Sequence, residues 1–266
     1  MSDKKMNLFG NLPGDEPLEN IQTGARDPAT VGLTRVAPVP KNLLDTDNAL
    51  LLQLSEDAAG SIRTWEVAVG HVYLPGAYDA AHLRDIHAHV MQDIYPVLGV
   101  TRGDEVLIAM YEAKESPDKT QPLAYDTRIG TNDEKITLLA AGKVNARIDE
   151  LSAQLKAENN LRGLEKSEFI NKLADYYLKY SQAAPFGGGT EHVLNVVVTK
   201  MGVQAGYVVE PEAAKHLREA TDAILAAGPG SDKSRLVQVF NSVSREAEGI
   251  GPRAMRSPTQ AAYPLS

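Results

Sequence analysis

The sequence predicts a mainly α fold: a helical bundle carrying one small β-hairpin as a flap. Three observations point there. Apolar residues recur at helical spacing through nearly all of the second half. Two strand-like runs, Val106 to Ala113 and Pro122 to Arg128, flank the turn-rich connector Glu-Ser-Pro-Asp-Lys-Thr, the pattern of a hairpin. No internal repeat is visible that would indicate a solenoid.

The elements follow in chain order. Residues 1–44 are rich in Gly, Pro, Asp and Asn and read as an extended or disordered arm, in which Leu8, Phe9 and Leu12 can still dock on the body. From Asp47, the residues Leu50, Leu51, Leu54 and Ile62 predict a helix that Gly60 weakens, and Val67 to Leu74 reads as a short strand. Asp79 is a good N-cap for a helix with Leu83, Ile86, Val90, Met91 and Ile94 on one face, stopped by Pro96 and Gly99. After the hairpin, Ile136, Leu139, Val144, Ile148, Leu151 and Leu155 form one long helical stripe. Ser167 is placed to cap the next helix, with Phe169, Leu173, Tyr177 and Tyr180 inward. Thr190 is placed to cap a helix with Leu194, Val197, Val198 and Met201, ended by Gly206. Pro211 opens another that Gly228 closes. Ser231 or Ser234 opens a last one with Leu236, Val239, Phe240 and Val243, ended by Gly249. The expected organisation is an arm over 1–44, a helical domain over 45–250 and a loose tail over 251–266.

Composition excludes several classes of function. The formal net charge of -8 argues against non-specific binding to nucleic acid or anionic membrane, which needs clustered Lys and Arg. With no cysteine, disulfides, thiolate catalysis and Cys-ligated zinc are excluded. No apolar run approaches the ~20 residues that span a bilayer, so membrane insertion is not expected. The N-terminal residues carry two lysines with no apolar stretch after them, unlike a secretory signal. Cytoplasmic location is the expectation, and export by a signal-less secretion system is compatible with it.

Chemistry concentrates on Gly187-Gly188-Gly189-Thr190, directly before a predicted helix. There, unpaired N–H groups and the positive dipole end converge on one spot, and glycines let a ligand approach the backbone. A flexible interhelical loop fits the same residues. The segment is not a Walker loop, which ends in Gly-Lys-Ser/Thr. His192, one turn on, is placed to contact a bound anion. His82, His87 and His89 share a predicted helix but form no i, i+3 or i, i+4 pair, so no metal site is expected. No carboxylate pair and no Ser–His–Asp set can be assigned from spacing.

In order along the chain, these segments resemble the Fic (Fic/Doc) family. Leu83-Arg-Asp-Ile-His87-Ala-His89-Val-Met-Gln-Asp-Ile-Tyr95-Pro96-Val-Leu-Gly99 resembles the family's early helix, I-H-x-x-L-F-x-D-I-Y-P-W-A-G. Glu158 to Tyr177 resembles the helix leading to the active loop, and Val203-Gln-Ala-Gly206-Tyr207 its Q-A-G-Y exit. Ala184-Pro185-Phe186-Gly187-Gly188-Gly189-Thr190-Glu191-His192 stands where the family has HPFxxGNGR. The matches cover roughly 79–207. The resemblance implies a Fic-like helical bundle and, in the family, transfer of AMP or another phosphate-containing group to a protein hydroxyl.

Carried over by position, the family's polar roles are lost. The base becomes Ala184, the Mg²⁺ ligand Gly188, the phosphate-holding Asn becomes Thr190, and the two Arg become His192 and Asn195. Pro185, Phe186 and Gly189 remain, and these are shape-giving. A general base alone supplies about 10²–10⁴-fold, so joint loss predicts no ordinary AMP transfer. The family is often inhibited by a helix carrying [S/T]xxxE[G/N]; Ser244-Arg-Glu-Ala-Glu248-Gly249 fits, either as a relic or by chance. Two functions are weighed beside a third, a small-molecule sensor in which the old nucleotide pocket survives as a binding site. One is a catalytically degenerate Fic-fold protein, in a bacterial cell, that binds and modulates a protein partner through the flap at Leu107, Tyr111, Leu123 and Tyr125. The other is a divergent nucleotidyl- or phosphate-group transferase that would need a nucleotide and Mg²⁺; under the first, no cofactor is expected. The sequence does not specify an oligomeric state.

Overall fold

The computed structural model describes residues 42–104, 127–131, 134–210 and 214–247. All of them fall within the compact unit that runs from Thr34 to Ser266. The expected arm up to residue 41, both arms of the expected flap except its last two residues, Pro211, Gly249 and the tail lie outside the described residues.

Helix α1 spans Ala49–Ala68 and is capped by Asn48, whose side chain accepts from the N–H groups of Leu50 and Leu51. The helix expected from Asp47 thus begins just after it, at Ala49. The helix passes unbroken through Gly60 and on to Ala68, so the strand expected from Val67 does not form. Helix α2 spans Ala80–Val90 and is capped as expected by Asp79, which accepts from His82 N–H at 2.9 Å.

The described hairpin joins β1 (Thr127–Ile129) to β2 (Lys135–Thr137), antiparallel, with Arg128 opposite Ile136. Of the hairpin read from the sequence only Thr127 and Arg128 are among the described residues, and both stand in β1. Ile136 thus sits in a strand, and the long stripe read from Ile136 onward becomes helical only at Val144. The reason is local: β2 is held by its pairing to β1, and a 3-10 turn at Ala141–Lys143 precedes helix α3 (Val144–Ala157).

Helix α4 spans Lys166–Ala183 after a Glu165 N-cap that makes no side-chain cap, so Ser167 lies inside the first turn instead of capping it. Helix α5 spans Thr190–Ala205 between Gly189 and Gly206, both left-handed. Its sequence is apolar on nearly every side, and residues from His192 to Ala205 are buried almost all the way round. It is the central rod of the fold, flanked by α1, α2 and α4. Strand β3 (Tyr207–Val209) turns back along it, a close approach possible because a Cβ on Gly202 would lie 2.7 Å from the Val209 side chain.

Helices α6 (Ala214–Ala227) and α7 (Ser234–Val243) complete the bundle. The last helix ends at Val243 and does not reach Gly249. Ser244–Glu246 forms β4, antiparallel to β3 with Val209 opposite Ser244. Backbone pairing to β3 offers these residues hydrogen bonds that a continued helix would have to forgo.

Candidate functional site: the loop between α4 and α5

The loop from Ala184 to Gly189 connects two core helices and is held from three sides. At its start, Ala184 takes a left-handed conformation (φ 41°, ψ 67°), and its N–H closes α4 on Tyr180 O at 3.0 Å. A non-glycine residue there is strained, so its surroundings must hold it. The Ala184 side chain is 6% exposed and packs with Ile136 and Leu138.

The main clamp is Arg102, a residue the sequence reading did not single out. It is 3% exposed. Its Nε donates to Ala184 O at 2.6 Å, and its Nη2 donates to Ala183 O at 2.9 Å and to Leu139 O at 2.8 Å. Its own N–H donates to Pro185 O at 2.7 Å. A cation thus satisfies carbonyls at the negative end of α4. The turn that aims it is built by Asp104, which accepts from Thr101 N–H and Asn145 and pairs with Arg84 at 2.7 Å. Burial pushes the Asp104 carboxyl up, but Arg84, the Thr101 N–H and Asn145 outweigh it and hold it below the usual range.

The second contact comes from α2. His87 stacks on Phe186, with ring centroids 4.1 Å apart, and its Nδ1 accepts from Gly99 N–H at 3.1 Å. That places the proton on Nε2, the nitrogen left to donate to the Gly188 carbonyl. Burial drives its pKa down to about 4, against the smaller upward pull of the Gly188 bond. His87 is a neutral structural donor. His82 is likewise lowered, by burial first and by Lys200 second, and accepts from Tyr78 N–H.

The third side is α1, which lies across the loop. The Tyr95 hydroxyl donates to Glu56 Oε1, and Glu56 is 6% exposed. A Cβ on Gly188 would lie 2.4 Å from the Tyr95 oxygen and 2.6 Å from Glu56 Oε1. The Glu56 carboxylate therefore fills the space a side chain at 188 would take. Gly189, at φ 69°, faces Met91, whose side chain a Cβ would approach within 2.7 Å. Next along α1, the His192 ring lies over Gly60, where a Cβ would stand 2.6 Å from it, and His192 Nε2 is 3.5 Å from Asp57. Gly60 is in the helix because the ring leaves no room for a side chain.

Thr190 does not cap α5 as expected. Gly189 occupies the N-cap position, and the Thr190 hydroxyl instead accepts from Phe186 N–H at 3.1 Å and donates to Phe186 O at 3.0 Å. Asn195 is buried, its Oδ1 without a hydrogen-bond partner in the structure. Gly187 is exposed. The structure thus gathers Ala184 to Gly189 into one loop with Thr190 to His192 in the first turn of α5, sets Glu56 and Asp57 beside that turn, and buries Asn195 one turn inward. The carboxyl groups of Glu56 and Asp57 stand beside the spot where an incoming phosphate would need positive potential. Among the described residues, no group of three His, Asp or Glu side chains is arranged to hold a metal ion.

Ser244 is in β4, not on a helix, and its Oγ is buried without a partner; Glu248, Gly249, Leu107, Tyr111, Leu123 and Tyr125 lie outside the described residues. The helix that lies against the loop is α1. Ser55-Glu-Asp-Ala-Ala59-Gly60 repeats the [S/T]xxxE[G/N] spacing with Ala59 at the glutamate position, and that spacing was the available signal.

The Gly188 contact gives a direct test. Gly188→Ala is expected to cost about 1–3 kcal/mol by overpacking. Adding Tyr95→Phe, which removes the nearest oxygen, should make the double variant less destabilised than the sum of the two. Urea unfolding of the four proteins reads this; strict additivity would contradict the contact.

No protein-family model matches the chain. It is 26% identical over 187 residues to "Protein adenylyltransferase VbhT" of Bartonella schoenbuchensis, covering 70% of this chain and 33% of that protein. It is 25% identical over 166 residues to "Probable protein adenylyltransferase Fic" of Escherichia coli K12, covering 62% of this chain and 70% of that protein. The chain thus spans about a third of the length of the first relative. Among solved structures, the N-terminal Fic domain of a VirB-translocated Bep effector protein of Bartonella quintana with bound ADP superposes with a TM-score of 0.64 at 18% identity, over 82% of this chain and 95% of that one. BepC of Bartonella tribocorum with bound AMPPNP gives 0.60 at 16%, over 80% and 95%. The fold and the loop between its core helices define a Fic-type helical domain. The chain is similar in sequence to these Fic adenylyltransferases and shares the fold of the Fic domains. No described helix is long and apolar enough to cross a membrane.

Proposed function

We propose that this chain is a catalytically degenerate Fic-fold protein that does not transfer AMP and acts in a bacterial cell by binding and modulating a protein partner. The observation that carries the proposal is Ala184: a methyl group, buried against Ile136 and Leu138, at the position where the family resemblance expects a proton acceptor. Gly188, where the metal-holding acid is expected, faces Glu56 and Tyr95, which fill the space of its missing side chain. Glu56 and Asp57 beside the α5 N-terminus oppose a nucleotide phosphate.

The test is calorimetric titration with ATP, CTP, GTP and UDP-sugars, with and without Mg²⁺, alongside mass spectrometry of the chain and of lysate proteins after incubation with ATP and Mg²⁺. The expected result is no micromolar heat and no added AMP. Nucleotide binding together with a transferred group would overturn the proposal.

A second reading, a divergent nucleotidyl- or phosphate-group transferase, draws on the acid groups α1 supplies at the loop. Glu56 paired with Tyr95, and Asp57 near His192, are candidate proton acceptors that the family motif does not contain. It predicts a transferred group that disappears in Glu56→Gln or His192→Ala while nucleotide binding persists.

A further inference from the structure

The side of α1 turned away from the loop is apolar. Gly60, Glu56 and Thr64 face inward and are buried, whereas Leu51, Leu54, Ala58, Ile62, Trp65 and Val69 all point outward at 100° per residue. Leu54, Ile62 and Trp65 are 58%, 61% and 53% exposed. The spacings of three and four residues make a seam of the kind by which two helices pair. No charged residue falls on it; the acids and bases of α1 lie on its flanks and inner side. A charge-free strip of this length on a chain of net charge -8 is unlike a solvated helix face.

We infer that this face of α1 pairs, antiparallel and two-fold, with the same face of a second copy of the chain. Two arguments select that occupant. The first is self-complementarity: an axis opposite Gly60 sets Leu51 against Val69, Ala58 against Ile62, and Trp65 over Ser55 beside Leu54. The register is self-complementary, Ile62 meeting Ala58 and Trp65 meeting Ser55, while Leu54 faces the stem of Glu66, whose carboxylate is drawn aside toward Arg63 and His89. The second is area. Six side chains of this size, about half exposed, amount to on the order of 500 Å² on each copy and about 1,000 Å² for the pair, the lower bound of a specific interface. This pairing does not depend on the function proposed above. It has a consequence for the loop, because the helix that joins the copies is the one that carries Glu56 and Gly60 against it.

The test uses the full chain. Sedimentation velocity from low to high micromolar concentration is expected to resolve a monomer–dimer equilibrium. Trp65 is the single tryptophan, so its emission should shift to the blue over the same range. Ile62→Glu should raise the dissociation constant about 100-fold or more and return the emission to that of an exposed indole, with an unchanged far-ultraviolet spectrum. Because the chain has no cysteine, the Ala58→Cys, Ile62→Cys double variant should oxidise to a crosslinked dimer. Three results would overturn the inference: a monomer at every concentration with exposed Trp65, buried Trp65 emission that does not depend on concentration, or a dimer that Ile62→Glu leaves intact. The second would mean that another segment of the same chain covers the face.

Discussion

Replacing Arg102 with leucine should destabilise the protein by about 3–5 kcal/mol, the cost of breaking a buried charged network on one side. Leucine keeps the apolar stem but leaves the carbonyls of Ala183, Ala184 and Leu139 without the donors that Nε and Nη2 now supply. The first two sit at the end of α4, where the helix has no further N–H to offer. Ala184 would also lose a restraint on a left-handed conformation unfavourable for a β-carbon. Lysine should recover little, since one ammonium cannot span three acceptors in a planar fork. Urea unfolding of Arg102→Leu and Arg102→Lys checks this, with Arg147→Ala as a surface control whose i, i+3 pair with Glu150 is worth well under 1 kcal/mol. A loss within 1 kcal/mol for Arg102→Leu would show that the loop carries itself.

Stability should fall steeply between pH 6.5 and pH 4, and His87 should account for about one proton of that slope. In the unfolded chain the imidazole takes up a proton near pH 6.5; in the folded chain it stays neutral until about pH 4. In that window the unfolded state binds more protons, so stability rises with pH. It is fully present above pH 6.5 and declines by about 1.4 kcal/mol per pH unit below it, some 3 kcal/mol by pH 4. His82, also lowered, acts in the same direction. His87→Gln can still accept from Gly99 N–H and donate toward Gly188 but cannot charge. Unfolding free energies at pH 7, 6, 5 and 4.5 should give a smaller slope for the variant, and equal slopes would remove His87 from the account. The physical result of acidification is release of the loop: a charged His87 has lost the Nδ1 lone pair that holds Gly99 N–H.

How far the site was legible differs from residue to residue. Phe186 and the glycines stood out because the loop is contiguous in sequence. Arg102 did not, because a buried arginine in a Thr-Arg-Gly-Asp turn looks like any surface arginine until its distant carbonyl partners are known. Glu56 and Asp57 were not singled out, because nothing in the spacing of α1 points them at a loop more than a hundred residues away. Gly60 was read as a weakness, although it is the position at which α1 admits the His192 ring. Helix boundaries slipped where a non-local partner decided them: β2 was read as helix because its pairing with β1 is invisible to periodicity, and Ser244 to Glu246 because their partner is β3.

The sequence by itself determined the helical class, the Asp79 cap and the identities of the loop residues, Ala184, Gly188, His192 and Asn195 among them. These are local matters of spacing, capping and side-chain identity. Only the tertiary structure decided what stands around them: Arg102 on the loop carbonyls, His87 beneath Phe186, and Glu56 in the volume left by the missing side chain of Gly188. Each of those contacts joins residues dozens of positions apart, and which face of α1 turns inward is settled by packing against α5, a choice that no property of α1 alone could make.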